Sequence, residues 1–167
     1  MPKEISELKE VLADQLKDLY SAETQITKAL PKLAKAATSP DLKKGFLLHL
    51  EQTKGHVERI KKACNELDIK PAGKKCLATA GLVEEGKEAI EENATPEMKD
   101  VMLIGAARRV EHYEMAAYTA ACDIAKTLGL TSVVKLLSAT LSEETSTDEK
   151  LAKASGPALN KAVASEK

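Results

Sequence analysis

Apolar residues recur every three or four positions through four long stretches of this chain, and that spacing confines it to a bundle of helices. The first stretch carries Leu8, Leu12, Leu16, Leu19, Ile26, Leu30 and Leu33, which share one face of a helix with 3.6 residues per turn. It predicts a helix over residues 6–37. Pro31 falls inside it and should kink or divide it near Leu30, because proline lacks the amide hydrogen an interior position needs. Thr38-Ser39-Pro40-Asp41 reads as a boundary: Ser39 as N-cap, Pro40 at the first helical position, an acid in the first turn. The second helix follows over 40–67, with Leu42, Phe46, Leu50, Val57 and Ile60 on one face. A shorter helix is expected over 78–92. Thr95-Pro96-Glu97 repeats the cap-then-proline start and opens a third long helix over 96–128, which Gly129 ends. The fourth, over 132–154, starts from a cap at Thr131 or Ser132 and stops at Gly156-Pro157.

Composition agrees with an all-α fold. Aromatic residues make up only 2% of the chain and Trp is absent, whereas a sandwich or barrel draws heavily on aromatic and β-branched residues. A length of 167 residues fits one domain over 1–167. The long helices fall into two pairs, each joined by a short turn, and the stretch between the pairs carries the short helix. Short turns make antiparallel neighbours, and one long connection returns the chain from end to end. That connectivity is a ferritin-like four-helix bundle with a long crossover carrying a short extra helix.

Charge excludes several functions. Acidic residues number 26 and basic residues 25, interspersed for a net charge of −1, so no basic stripe marks a nucleic-acid partner. Cys64, Cys76 and Cys122 are odd in number and form no Cys-x-x-Cys pair, which supports neither a zinc ribbon nor a disulfide framework; they read as small buried hydrophobes. Met1-Pro2-Lys3-Glu4 lacks the apolar run of a leader, and no stretch approaches a membrane span. The expectation is a cytoplasmic protein with no membrane partner.

The polar residues that share the apolar faces are the informative ones. Winding each helix at about 100° per residue puts Glu23 in the stripe of the first helix, with Tyr20 beside it. His49, Gln52 and His56 line the edge of the second stripe, and Glu51 points away. On the third helix Glu114 lies inward, Glu111 at the margin one turn before it and Tyr118 one turn after, while His112 points outward. On the fourth, Glu144 and Asp148 sit among Val134, Leu137, Leu141 and Leu151. Arg59, Arg108 and Arg109 wind away from these faces. One unpaired carboxylate in an apolar interior costs several kcal/mol, so four or five facing one another call for protons, displacement to the rim, or cations. Two divalent ions resolve the balance with the fewest assumptions. Carboxylates with one or two imidazoles suit iron or manganese better than zinc or copper. The usual Glu-x-x-His pair of bundle di-metal sites is absent from all four helices; His49-x-x-Gln52-x-x-x-His56 and Glu144-x-x-x-Asp148 stand instead.

Leu19-Tyr20-Ser21-Ala22-Glu23, Ala29-Leu30-Pro31-Lys32, His49-Leu50-Glu51-Gln52-Thr53, Gly81-Leu82-Val83-Glu84-Glu85, Val110-Glu111-His112-Tyr113-Glu114 and Leu141-Ser142-Glu143-Glu144 resemble the bacterial YciE/YciF family over nearly the whole chain. The Val-Glu-His-Tyr-Glu segment is the most specific part. The resemblance implies a ferritin-like helical protein with a di-metal site, a homodimer, and an association with stress responses. It does not bring a settled activity. Relatives typically have Glu where this chain has Gln52 and often Gln where it has His56, which exchanges one carboxylate for one imidazole on the second helix.

The leading expectation is a di-iron or dimanganese carboxylate protein that reduces O2 or peroxide. Glu23, Glu114 and Glu144 would be ligands or bridges; His49 or His56, Glu111 and Asp148 would complete the set, with Gln52 beside them. Tyr20 and Tyr118 are read as hydrogen-bond donors to the carboxylates, and no catalytic residue is assigned. The competing expectation is a non-enzymatic stress or structural protein whose metal only stabilises the fold. A hollow iron-storage cage is a weaker third.

Overall fold

A computed structural model describes residues 5–166; the expectation for Met1-Pro2-Lys3-Glu4 lies outside them. Five helices follow in order: α1 Leu8–Ala36, α2 Pro40–Glu66, α3 Leu77–Glu91, α4 Pro96–Thr127 and α5 Thr131–Ser165. No strand occurs among the described residues.

The cap-then-proline boundaries form as the sequence implies. Ser39 Oγ accepts from the Leu42 amide and Thr95 Oγ1 from the Met98 amide, with Pro40 and Pro96 in the first turns. Asp100 of α4 locks the α1–α2 turn: its carboxylate accepts from the Thr38 amide at 2.7 Å, the Thr38 hydroxyl at 2.7 Å and the Ser39 amide at 2.8 Å. Gly129, at φ +69°, closes α4 in the left-handed region, and the Leu130 amide reaches back to the Ala125 carbonyl at 2.9 Å.

Three local expectations are corrected. Pro31 does not divide α1, which runs unbroken through it; buried Leu30, Leu33 and Ala34 on both sides hold the continuation against the lost hydrogen bond. Gly156-Pro157 does not stop α5, which continues to Ser165 with Ala154 and Ala158 packed on the core and Ala162 buried. Neither Thr131 nor Ser132 caps α5. Leu130 holds that position without a side-chain bond, because the turn at Gly129 fixes the start, and Ser132 Oγ instead donates to a Glu66 carboxylate oxygen of α2.

α1 packs on α2 and α4 on α5, with α2 against α5 and α1 against α4; α3 lies over α1 and α4. Two apolar clusters give the directions. One joins Leu12, Leu16 and Leu19 to Ile60 and Cys64, to Ala121 and Ala125, and to Val133 and Leu137. The other joins Ile26, Leu30 and Leu33 to Leu42 and Phe46, to Leu103 and Ala107, and to Leu151. Along α1 and α5 the chain therefore runs opposite to α2 and α4. The crossover through α3 carries it back from one end of the bundle to the other, as the ferritin-like topology requires. Between the two clusters lies a buried polar layer containing Glu23, His49, Thr53, His56, Glu111, Glu114, Thr140 and Glu144.

Candidate metal centre

Each helix of the bundle contributes to that layer at mid-length. His49, Glu111, Glu114 and Glu144 each bring one ligand atom to within 4.8 Å of the others, and Glu23, His56 and Glu144 form a second such group. Glu144 belongs to both, with one carboxylate oxygen for each side: its Oε2 lies 3.5 Å from His49 Nε2 and its Oε1 lies 2.8 Å from His56 Nδ1. His49 Nε2 is also 3.3 Å from Glu111 Oε1, and His56 Nδ1 is 3.3 Å from Glu23 Oε1.

The remaining ring nitrogens are held from behind. His56 Nε2 meets Glu143 Oε2 at 2.8 Å, and Glu143 is gripped by the Arg59 guanidinium at 2.7 and 3.0 Å. His49 Nδ1 meets Thr147 Oγ1 at 3.2 Å, whose hydroxyl donates to the Glu143 carbonyl. The hydroxyl proton being spent there, His49 Nδ1–H is the donor in that contact. In the neutral rings both outer contacts keep the proton outside, which would turn His49 Nε2 and His56 Nδ1 inward as lone pairs, the arrangement that orients imidazole ligands. The Tyr118 hydroxyl, fully buried, donates to Glu23 Oε1.

The inner atoms have no such partners. Glu23 Oε2, His49 Nε2, His56 Nδ1, Glu111 Oε2 and both oxygens of Glu114 and Glu144 are buried without a directed hydrogen bond. An orphaned buried polar atom costs about 1–3 kcal/mol, more when charged, and such atoms rarely gather unless something coordinates them. Four carboxylates carry four negative charges when ionised, which two divalent cations balance. The donors are oxygen-rich with one imidazole on each side, a set suited to iron or manganese. The residues present therefore fit a metal pair.

Burial and the facing charges favour protons on several groups of the layer. Burial pulls the His49 ring down, but Glu111 and Glu144 outweigh it and raise it to about 9. His56 rises to about 10 for the same reason, with Glu144 and Glu23 beside it. Burial pushes Glu111 up to about 8 against the pull of His49. Glu114 stands well above the usual carboxylate range, through burial and then the like charges of Glu144, Glu23 and Glu111. Burial also works to raise Glu144, yet His56 and His49 hold it below its ordinary value.

A family profile described as a domain of unknown function, DUF892, matches residues 7–164. The chain belongs to the DUF892 family. Protein YciF of Escherichia coli (strain K12) is 44% identical to this DUF892 chain over 145 residues, covering 86% of the chain and 87% of the relative. The crystal structure of the E. coli stress protein YciF superposes with a TM-score of 0.91 at 42% identity, covering 94% of this chain and 99% of that one. A structure described as ferritin-like, diiron-carboxylate proteins from Bacillus anthracis str. Ames matches with a TM-score of 0.70 at 16% identity, over 90% and 99% of the two chains; at that identity the likeness concerns the fold alone.

Of the residues singled out in the DUF892 sequence, the structure brings Glu23, His49, His56, Glu111, Glu114 and Glu144 together. It places Asp148 elsewhere: that carboxylate takes Arg108 at 2.8 and 3.2 Å, with His112 Nε2 at 3.2 Å, and Arg108 holds it below its usual range. Arg59 and Arg108 start from positions off the inner faces, yet both long side chains curl back to meet Glu143 and Asp148. Gln52 lies one turn from His49 on the wall of a neighbouring cavity. Tyr20 packs half-buried against an apolar cluster. Glu143 and Thr147 escaped the sequence reading. Arg59, one turn beyond His56, was a signal for Glu143; Thr147 had none.

Proposed function

We propose that this chain is a di-metal carboxylate protein, loaded with iron or manganese, that reduces peroxide or O2 as part of a stress response. The observation that carries the reading is the ring of buried, unpartnered donors on four helices with Glu144 shared between two groups. When bound, the metal pair supplies two electrons, one from each ion, so that a peroxide O–O bond is cleaved with uptake of two protons. His49, Glu111 and Glu114 would hold one ion, Glu23 and His56 the other, and Glu144 would bridge. Arg59 and Glu143 fix the His56 ring, Thr147 fixes His49, and the Tyr118 hydroxyl orients Glu23. The description of the E. coli relative as a stress protein supports the physiological setting. The proposal extends to a cytoplasmic homodimer, on the family resemblance; among the described residues no helix is long and apolar enough to cross a membrane.

The test is to load metal-free protein with Fe(II) or Mn(II) and measure bound metal and peroxide consumption. Two ions per chain with peroxide loss are expected; neither binding nor consumption would sink the reading. The near-complete burial of the ligands, 0–3% exposed, also favours a second reading in which metal only stabilises the fold. A large rise in melting temperature with metal, without turnover, would select it.

A further inference from the structure

A cavity of about 390 Å³ opens between α2 and α5 and ends on the metal side of the bundle. Its inner end is formed by His49 and Glu111, both 3% exposed, with Gln52 beside them. Its walls are the buried side chains of Leu42, Phe46, Ile104 and Leu151. The exposed Lys161 stands at its outer end with one exposed acid, Asp41, and the exposed Lys150, three turns nearer His49, borders its side. Asp100 also borders it, but that carboxylate is taken up by the α1–α2 turn.

Neither hydrogen peroxide nor O2 needs such a space. A water molecule takes about 30 Å³ of liquid volume, so the cavity is larger than a diatomic or a peroxide requires by roughly tenfold. It falls within the range of pockets that bind organic molecules, about 300–1,000 Å³. Its apolar walls would be poorly wetted. Gly45 borders the cavity, and a side chain added there would enter open space.

We infer that this cavity binds an aliphatic molecule bearing a carboxylate, and that the substrate of the centre is an organic hydroperoxide of that class. The chain lies along Leu42, Phe46, Ile104 and Leu151, the carboxylate meets Lys161 at the outer end, and the hydroperoxide end reaches His49, Glu111 and the Gln52 amide. The balance is the two-electron, two-proton cleavage given above, with an alcohol and water as products. The inference rests on the di-metal reading for its chemistry, but the binding itself needs no metal.

Calorimetric titration of decanoate into metal-free protein tests it, alongside Mn(II) uptake by the same preparations. Decanoate is expected to bind wild-type protein saturably. Gly45→Leu, whose side chain enters open space and improves the helix, is expected to lose that binding at least tenfold while taking up Mn(II) as before. Lys161→Glu is expected to weaken decanoate at least tenfold and to leave decanol binding unchanged. Mn(II) uptake without decanoate binding, or equal decanoate binding by Gly45→Leu, overturns the inference and leaves the metal reading standing. Decanoate binding without metal uptake overturns the metal reading and, with it, the assignment of the ligand as a substrate.

Discussion

Glu114 gives the sharpest test of why the bundle keeps an acidic centre. Its carboxyl is fully buried, both oxygens lack hydrogen bonds, and its neighbours within the layer include three more carboxylates. In the metal-free protein burial and the like charges beside it push that carboxyl well above its usual range, and each unsatisfied buried polar group costs about 1–3 kcal/mol. Glu114→Leu removes both orphaned oxygens and adds apolar contact to the space between the two clusters. The metal-free variant is expected to gain about 2–4 kcal/mol, which for a domain of this size raises the melting temperature by roughly 4–16 °C. With metal the order reverses or narrows. Wild-type protein gains about 2.7 kcal/mol at one hundred times the dissociation constant, while the variant, one ligand short, gains little. The assay is thermal melting by circular dichroism in chelator and again in Mn(II), with wild type and variant side by side. A metal-free variant that melts lower than wild type refutes the reasoning, since it would mean Glu114 is satisfied in a way the unpaired oxygens do not show.

On the proposed reading, metal binding would displace protons that the raised values of His49, His56 and Glu111 favour. The metal-free state binds more protons than the loaded one, so affinity for Mn(II) should rise with pH, by more than tenfold per unit below about 8. Calorimetry in buffers of different ionisation enthalpy reads the release directly, and a value of zero would contradict the proton-filled layer. Glu143→Gln loosens the grip on His56 Nε2 and on Arg59; it is expected to weaken one of two Mn(II) sites by about 10–100-fold and spare the other, with equal losses at both sites as the contrary result. Cys64 is fully buried and its thiol is pushed up to about 11 by burial. Its folded value lies above the unfolded one, so its contribution is complete below about pH 9 and lost as pH rises toward 11. The alkaline stability loss should be about 2–3 kcal/mol smaller in Cys64→Ala than in wild type; denaturant melts across that window giving parallel curves would exclude it.

Much of the fold is legible in the chain because its signals are local. Ser39-Pro40 and Thr95-Pro96 fix helix starts through the backbone, and the apolar spacing fixes which face turns inward. Pro31 does not divide α1 and Pro157 does not stop α5 for the opposite reason: local chemistry permits a break, and packing of Leu33, Ala34, Ala158 and Ala162 across the bundle overrides it. The same division runs through the centre. A helical wheel gives the direction of each Cα–Cβ bond, enough to turn Glu23, Glu114 and Glu144 inward. It says nothing of how far a long side chain reaches. Arg108 therefore captures Asp148, and Arg59 captures Glu143, from positions that point away. Nor can a wheel give the relative height of two helices, which decides that Glu111 enters the layer while Gln52 faces the cavity beside it.

The passage of α5 through Pro157 carries a consequence of its own. Pro157, Ala158 and Lys161 border the α2–α5 cavity, so the outer end of that space is built by a segment that supplies no atom to the His–carboxylate cluster. On the proposed reading, redox chemistry and choice of reactant would fall to different stretches of one helix. Relatives can exchange residues in the terminal turns and admit longer, shorter or differently charged molecules while the ligand geometry stays as it is. Diversity within the family should accordingly concentrate after Pro157, and profiling many relatives against a panel of chain lengths would show selectivity following those few turns.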